Sequence, residues 1–392
     1  MTRDRTCRKE RTLDAFRIDD EQELFRRTVR QLAEEKIAPR AAEIDEADEY
    51  PTDMHELLVR NDLLAVGYPE EVGGSGGPVE FCLLVEEISR VSAGVSLIPL
   101  VNRLGAIPIM LAGSDAQRKE ILGGVVRGER QLAYCLTEPG SGSDAAAMRS
   151  RAVRDEGGWV IDGSKRFITN AGVADTYIYF AVTDPAGTKG KNISAFLVRS
   201  DQPGFSLGRV EHKMGINGVP TREVILDGYR AAPEDLLGDE NLGFTYAMRT
   251  LDYSRPTIGA QALGIAQGAF DYAVGYAKER QQFGKPIASF QGIEFMLADM
   301  AMKIEASRLL VYKAANAVVN KDPRVTYWAA IAKAFASDTA MAVTTDAVQI
   351  LGGYGYVKEY PVERMMRDAK ITQIYEGTNQ IQRVVIARNV TR

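Results

Sequence analysis

Hydrophobic positions recur at helical intervals from residue 20 to about residue 130. Within residues 21–51 they include Leu24, Phe25, Val29, Leu32 and Ile37, and the segment ends at Pro51. This spacing lines one face of an amphipathic helix. The glycine-rich stretch "EEVGGSGGPVEF" has no strand before it and no Gly-Lys-Ser/Thr after it, which favours a connector over a phosphate loop. The pattern predicts an N-terminal helical domain over residues 1–130.

The pattern changes over residues 131–241. Short β-branched and aromatic runs, "GGWVIDG", "TYIYFAVTD", "ISAFLVRS", "GFSLGRV" and "REVILDG", are separated by turn sequences such as "DPAGTKGK" and "DQPG". Closely spaced strands with turns between them are typical of an antiparallel barrel or sandwich, and not of alternating βα units. The predicted second domain is therefore a central antiparallel β-barrel or sandwich.

Residues 242–392 return to helical spacing. Apolar positions form one stripe from Ile293 to Val318, and an alanine-rich helical segment follows that stops at Gly352-Gly353. Such long helices suit a four-helix bundle and its packing in an oligomer. The predicted fold class is thus α+β and mostly α, with a helical, a β and a second helical domain.

Composition excludes several classes of protein. The chain has 392 residues and a formal net charge of -5, and no Lys/Arg run is interleaved with aromatic residues, which disfavours a nucleic-acid binder. No apolar stretch is expected to approach the roughly 18 residues of a membrane span. The polar start "MTRDRTCRKERTLDAF" lacks the apolar core of a secretory signal and reads as a frayed tail.

The few cysteines and histidines bear on the chemistry. Three widely spaced cysteines fit a reducing compartment, so we expect a cytoplasmic protein, with a mitochondrial matrix location left open. The two histidines join no Cys/His cluster with metal-ligand spacing, and no metal site is expected. Acid–base chemistry therefore falls to carboxylates.

Four short segments carry candidate chemistry, and each also has an ordinary interpretation. "YCLTEPGSGSD" (134–144) is a strand running into a small-residue turn that allows a ligand close to the backbone, or it is a plain loop. "KRFITNAG" (165–172) ends a predicted strand. "KERQQFGKPIASFQ" (278–291) places Arg280 where a helix gives way to a loop, suited to a pyrophosphate. "LDYSRP" (251–256) reads as a local Asp–Arg pair before an early helical proline.

The segment "ITQIYEGTNQIQR" (371–383) holds a lone carboxylate, Glu376, beside Gly377. It lies outside helical periodicity and predicts a loop between two helices. An acid in such a loop caps a helix, pairs with a buried partner or acts as a general base. The segment by itself does not decide among these three roles.

In combination, these segments closely resemble the acyl-CoA dehydrogenase family of flavoproteins. The resemblance runs from about residue 20 to about residue 389 and also includes "DAVQILGGYGY" and "RDAKITQIYEGTNQIQR". It implies FAD as cofactor, an acyl-CoA substrate, and a homotetramer, a dimer of dimers, with FAD shared across a subunit interface. It also implies an electron-transferring flavoprotein as electron acceptor.

The resemblance implies roles for individual residues. Around the flavin and on the loop beside it would lie Tyr134, Leu136, Thr137, Gly142, Ser143, Phe167, Ile168 and Thr169. The neighbouring subunit and the bundle would supply Arg280, Gln282, Phe283, Gln291, Gln349 and Gly353, while Thr378 and Gln380 would close over the cofactor. The substrate would meet Ser143, Leu100, Asp252, Arg255, Tyr375 and Gly377.

Glu376 matches the family's catalytic base. The α-proton of a thioester is very weakly acidic, and a carboxylate in an apolar, water-excluded pocket gains the basicity needed to remove it. The resemblance implies that the backbone N–H of Glu376 helps hold the thioester carbonyl, and that the product is a trans-2-enoyl thioester. A subgroup carries its base at the position of Ser254, which is no base here, and this argues against isovaleryl-type members.

Two residues depart from the family pattern, one beside the flavin and one in the acyl pocket. Phe167 replaces a common tryptophan and loses its indole donor. Pro99 falls inside the helix that lines the acyl pocket, where proline kinks a helix, so we expect a short or unusual acyl chain. The alternatives are a biosynthetic dehydrogenase of acyl groups on a carrier protein and an oxidase-like relative. An intact Glu376 argues against a non-catalytic flavin- or acyl-binding module.

Overall fold

The structure is a computed structural model that describes residues 18–391. Its first part is helical. The expectations for the N-terminal tail lie outside these residues. A capping box starts the first helix, because Asp19 accepts from Gln22 N–H and Gln22 accepts from Asp19 N–H. Val29 and Ile37 are buried as predicted, but Leu24 is 66% exposed. The helices are α1 Asp20–Leu32, α2 Ala41–Ala47, α3 Thr52–Arg60, α4 Pro78–Ser89, α5 Ala93–Ala112, α6 Asp115–Gln117 and α7 Gly123–Val126.

Helix α5 corrects one expectation, that no apolar stretch approaches the length of a membrane span. It is long and apolar enough to pass the length and hydropathy test for a membrane span, although 72% of that window is buried inside the protein. It also runs unbroken through both Pro99 and Pro108. Both prolines are buried in α5, and tertiary packing offsets the local cost of a proline inside a helix.

The middle of the chain forms one curled sheet of seven strands in the order β1-β4-β2-β3-β7-β6, with β5 also paired to β4. The ladders of β4 with β1 and β2 are parallel and the others are antiparallel. The β2–β3 hairpin separates β1 from β4 along the chain. Because no tight turn joins these two strands, they can pair in parallel. The strands are β1 Leu132–Cys135, β2 Arg151–Asp155, β3 Gly158–Thr169, β4 Thr176–Val182, β5 Ile193–Arg199, β6 Phe205–Val210 and β7 Thr221–Ala231.

The C-terminal part is again helical. Pro256, expected near the start of a helix, lies deep inside the 37-residue α8, because that helix already begins at Gly243. A short ribbon of two strands separates α8 from α9. The elements are α8 Gly243–Glu279, β8 Gln281–Gln282, β9 Lys285–Pro286, α9 Gln291–Val319, α10 Val325–Leu351, α11 Pro361–Thr372 and α12 Asn379–Val390.

These elements confirm the predicted fold class of two helical domains around a central sheet. Helices α8, α9 and α10 pack against one another, while α5 packs on both α8 and β1. The place where α5, the sheet and α8 meet is closed by the loop between α11 and α12. This junction holds the candidate site.

Candidate active site

A cavity of about 290 Å³ lies at this junction. Its walls come from α5, from the loops after β1 and at the end of β3, from α8, and from the loop between α11 and α12. Most of the lining is apolar. The lining residues named by the sequence are Leu100, Tyr134, Leu136, Thr137, Gly142, Ser143, Phe167, Ile168, Thr169, Arg255, Tyr375, Glu376 and Gly377.

The loop between α11 and α12 carries Glu376 in an uncommon backbone conformation. Glu376 has φ 52° and Gly377 has φ 92°, so two consecutive residues are left-handed. A left-handed non-glycine residue is unfavourable and persists where its surroundings hold it. Gln382 Nε2 donates to the carbonyl oxygen of Gly377 at 2.8 Å, and the side chain of Thr378 caps the start of α12.

The Glu376 carboxylate has one partner and one open oxygen. Ser254 Oγ donates to Oε2 at 2.5 Å, whereas Oε1 is buried with no hydrogen-bond partner within residues 18–391. Burial raises the pKa of Glu376 to about 7, against the opposing effects of the Ser254 hydrogen bond and the positive charges of Arg255 and Lys333. The carboxylate is therefore suited to accept a proton from a ligand in the cavity.

Arg255 and Asp252 occupy different places around the site. Arg255 lines the cavity, and its Nε donates to the carbonyl oxygen of Glu376 at 3.3 Å. Asp252, predicted as a substrate contact, is not part of the cavity wall. Its carboxylate accepts from Arg255 at 3.1 Å and from Thr326 Oγ1 at 2.6 Å. In this structure Asp252 therefore orients Arg255.

The end of β3 forms another part of the cavity wall. The ladder of β3 with β7 shifts register between Lys165 and Ile168, and Phe167 within that bulge has φ 58°. A bulge turns a strand locally and re-aims a side chain. The Phe167 ring is 62% exposed and lines the cavity next to Ile168 and Thr169.

A buried ion pair supports the loop after β1. Lys165 Nζ donates to Glu138 Oε1 at 2.8 Å and to the carbonyl oxygen of Leu136 at 3.3 Å. Glu138 also accepts from the backbone N–H groups of Arg149 and Ser150. Burial raises the pKa of Glu138, but Lys165 and these hydrogen bonds outweigh it and the net pKa is lowered. The pair thus fixes Leu136 and its neighbours at the cavity wall.

Tyr375 closes one side of the cavity and is held from behind. Its hydroxyl donates to Gln261 Oε1, and Gln261 Nε2 donates to Ser96 Oγ at 3.0 Å. Gln261 and Ser96 are fully buried between α8 and α5. Together with Leu97 and Leu100, this network bounds the apolar part of the cavity.

The other predicted cofactor residues lie away from this cavity. Arg280, Gln282 and Gly353 line a separate cavity of about 530 Å³, and Thr378 and Gln380 line a third of about 460 Å³. The remaining three are exposed, namely Phe283, Gln291 and Gln349. The structure of one chain therefore does not bring them to Glu376.

Several residues that support the site were not predicted from the sequence. Ser254 was considered only as a rival base, whereas it is the hydrogen-bond donor to Glu376. Gln261, Lys165 and Glu138 were not singled out, and neither was Lys333, which donates to the carbonyl oxygen of Gly377. The sequence did offer a signal at Lys333, a lysine within the otherwise apolar run "WAAIAKAFA".

Two helical parts around a curled sheet, with a buried carboxylate in an apolar cavity, are the fold and site of a family of FAD-dependent oxidoreductases. Sequence models of the acyl-CoA dehydrogenase N-terminal, middle and C-terminal domains match residues 19–129, 133–229 and 241–391. The chain belongs to the acyl-CoA dehydrogenase family.

Two relatives and one solved structure show the extent of the likeness. Probable acyl-CoA dehydrogenase FadE25 of Mycobacterium tuberculosis is 49% identical over 97% of this chain and 98% of its own length. The short-chain specific acyl-CoA dehydrogenase of Clostridium acetobutylicum is 46% identical over 96% of this chain and 100% of its own. The structure of butyryl-CoA dehydrogenase from Megasphaera elsdenii matches with a TM-score of 0.93 and 44% identity, over 96% of this chain and 100% of its own.

Proposed function

We propose that the protein converts a short-chain acyl-CoA thioester into its trans-2-enoyl product, with Glu376 as the base that removes the α-proton. The observation that carries this proposal is the Glu376 carboxylate at the cavity wall. One of its oxygens has no partner within the described residues, and burial raises its pKa to about 7. A base with a pKa near neutrality is both ionised and basic enough to act.

The residues on the sheet side fit a flavin. Gly142 lines the cavity, and a Cβ at Gly142 would meet no atom within 4 Å, so the backbone there is open to a ligand. The Phe167 ring presents an apolar face, and three hydroxyl side chains, Thr137, Ser143 and Thr169, line the same wall. Tyr134, Leu136 and Ile168 would pack against the ring. When bound, the flavin supplies a two-electron acceptor for the hydride from the β-carbon.

The catalytic loop is arranged to orient the thioester. The backbone N–H of Glu376 donates no hydrogen bond among residues 18–391, which leaves it available to a carbonyl oxygen. Gly377 lines the cavity without a side chain, and Tyr375 and Leu100 exclude water from the apolar end. Arg255 binds the loop backbone, so it orients Glu376 as well as lining the substrate path.

The second cavity supports an oligomer in which subunits share cofactor sites. Arg280 and Gln282 line this cavity, and their donor groups suit a pyrophosphate or adenosine of another subunit's cofactor. Phe283 next to them is 93% exposed, and Phe295, Met302 and Leu309 are exposed along α9. Exposed apolar surface of this kind marks a protein interface. We therefore propose a homotetramer with these residues at a subunit interface, and an electron-transferring flavoprotein as the electron acceptor.

We propose a short acyl chain. Gln261 is buried behind Tyr375 and hydrogen-bonded on both sides, and its side chain occupies space between α5 and α8 next to the apolar part of the cavity, which supports this proposal. The names of two relatives, the short-chain specific Clostridium enzyme and the Megasphaera butyryl-CoA dehydrogenase, support the same substrate class.

The test of this function is anaerobic bleaching of the purified flavoprotein by acyl-CoA thioesters of C4 to C16 and by matching acyl-carrier-protein thioesters. We expect the fastest bleaching with C4 to C6 acyl-CoA. A maximum at C12 or longer would refute the short-chain assignment. Faster bleaching by the carrier-bound acyl groups would favour the biosynthetic alternative, and a colourless protein would contradict every flavin-based function.

Replacing Gln261 with alanine should move the chain-length maximum upward by at least two carbons, because it removes the buried side chain behind Tyr375. The same bleaching panel measures the change. Tyr375→Phe is the matched control, since it breaks the same hydrogen bond but keeps the volume, and its chain-length preference should stay that of the wild type. An unchanged maximum in Gln261→Ala would show that this residue does not limit chain length.

The rate of bleaching should depend on pH through Glu376. Burial raises the pKa of its carboxyl to about 7, and only the ionised form accepts a proton. Bleaching under subsaturating substrate should therefore fall about tenfold per pH unit below pH 7 and level off above it. Ser254→Ala removes a hydrogen bond that lowers this pKa, so the acid limb should move to higher pH. A profile that is flat between pH 5.5 and 8 would contradict the assignment.

A further inference from the structure

Lys333 is a buried lysine that the proposed chemistry does not yet use. It is the last residue of the run "VTYWAAIAK", with which α10 begins, and its side chain is completely buried. Burial lowers its pKa to about 7. Its ammonium group donates to two uncharged oxygens, the carbonyl oxygen of Gly377 and Asn379 Oδ1. A buried charge of this kind is costly and requires strong partners.

The partners of Lys333 belong to the catalytic loop. Its Nζ donates to the carbonyl oxygen of Gly377 at 2.8 Å and to Asn379 Oδ1 at 2.9 Å. Asn379 in turn donates to Ser337 Oγ and Asp338 Oδ1 on α10. Lys333 therefore joins the residue directly after Glu376 to the first residue of α12, and both to α10.

These contacts meet the loop at its least favourable backbone conformation. Glu376 and Gly377 are both left-handed, with φ 52° and 92°. Two other side chains hold the same peptide groups, Gln382 at the Gly377 carbonyl and Arg255 at the Glu376 carbonyl. Of the three, Lys333 alone reaches the loop from α10, the helix on which the loop rests.

Lys333 also acts on the charge of the base. The ammonium group of Lys333 interacts electrostatically with three charged groups, Glu376 in the loop, Arg255 on α8 and Asp338 on α10. The positive charge of Lys333 lowers the pKa of Glu376, as Arg255 does, while burial raises it. Loss of the ammonium group therefore leaves the carboxylate harder to ionise.

We propose that Lys333 is a positioning residue for proton abstraction, whose ammonium group holds the left-handed Glu376–Gly377 segment against α10 and favours the ionised base. This inference rests on the proposed function, because it assigns Glu376 as the base. It predicts that Lys333 affects the rate and its pH dependence, and leaves binding of the flavin and of the substrate intact.

The test compares Lys333→Met, Lys333→Arg and the exposed-lysine control Lys119→Met as holoenzymes. In Lys333→Met we expect kcat to fall about 10- to 100-fold, KM to change less than threefold, and the acid limb of the pH profile to move to higher pH. Lys333→Arg should restore the position of the acid limb, because it keeps the charge. Lys119→Met should behave as the wild type. If Lys333→Met does not fold, Lys333→Gln replaces it, with the same upward move of the acid limb expected.

Hydrogen exchange of the loop gives a readout that does not depend on activity. At pH 6 the backbone amides of residues 373–378 should exchange faster in Lys333→Met than in the wild type and in Lys119→Met. Wild-type exchange together with a wild-type pH profile would overturn the inference, and so would a change confined to KM. If acyl-CoA does not bleach the wild-type flavin, the proposed function is wrong. The exchange measurement still tests whether Lys333 holds the Glu376–Gly377 segment against α10.

Discussion

Replacing Glu376 with glutamine is expected to slow flavin bleaching by acyl-CoA at least about 1,000-fold, while FAD stays bound. General-base catalysis contributes up to about four orders of magnitude, and glutamine keeps the size of the side chain but cannot accept the α-proton. Ser254 Oγ can still donate to the amide oxygen in place of the carboxylate, so the loop should keep its geometry. Stopped-flow absorbance measures the bleaching rate, and the visible spectrum measures bound flavin.

The control for this variant is the other carboxylate at the cavity wall. Asp144 also lines the cavity, but it is exposed and paired with Lys189 at 2.8 Å. Because Asp144 is exposed to solvent and paired with a lysine, we expect Asp144→Asn to bleach within about threefold of the wild type. If Glu376→Gln bleaches at nearly the wild-type rate and Asp144→Asn does not, the roles of the two carboxylates are reversed.

The fold was predictable from the sequence because its elements follow local periodicity. Apolar spacing distinguished the two helical parts from the β part, and glycines marked ends such as that of α10 at Gly352. One error concerns a proline. Pro256 was expected near the start of a helix but lies deep inside α8, because burial against neighbouring elements offsets a local cost that the sequence alone shows.

The site was predictable where a motif is contiguous in sequence. Glu376, Phe167 and Ser143 belong to short segments, and the structure brings them to one cavity. The supporting contacts join residues far apart in the chain, as Ser254 does with Glu376 and Lys333 with Gly377. No local pattern encodes which distant donor will face a given carbonyl or carboxylate. The residues predicted to act from a neighbouring subunit stay predictions, since a single chain carries no information on its partner.

The buried pair of Lys165 and Glu138 should have the largest effect on stability. Lys165→Met is expected to lower the free energy of unfolding by about 3–5 kcal/mol, because it leaves the buried Glu138 carboxylate without its cation. The same change frees the carbonyl of Leu136 and the loop that follows it. Since Leu136 and Thr137 line the cavity, the variant should also bind FAD more weakly.

Denaturant unfolding of matched variants separates the cost of a broken pair from the cost of losing a lysine. Lys189→Met removes the exposed lysine partner of Asp144, a carboxylate of the loop after β1, and should cost less than about 1 kcal/mol. The double variant Lys165→Met with Glu138→Gln no longer buries an unpaired charge, so it should be more stable than Lys165→Met alone. A loss below about 1 kcal/mol in Lys165→Met would show that the backbone N–H groups of Arg149 and Ser150 suffice to hold Glu138. The loop after β1 would then owe its position to these two hydrogen bonds.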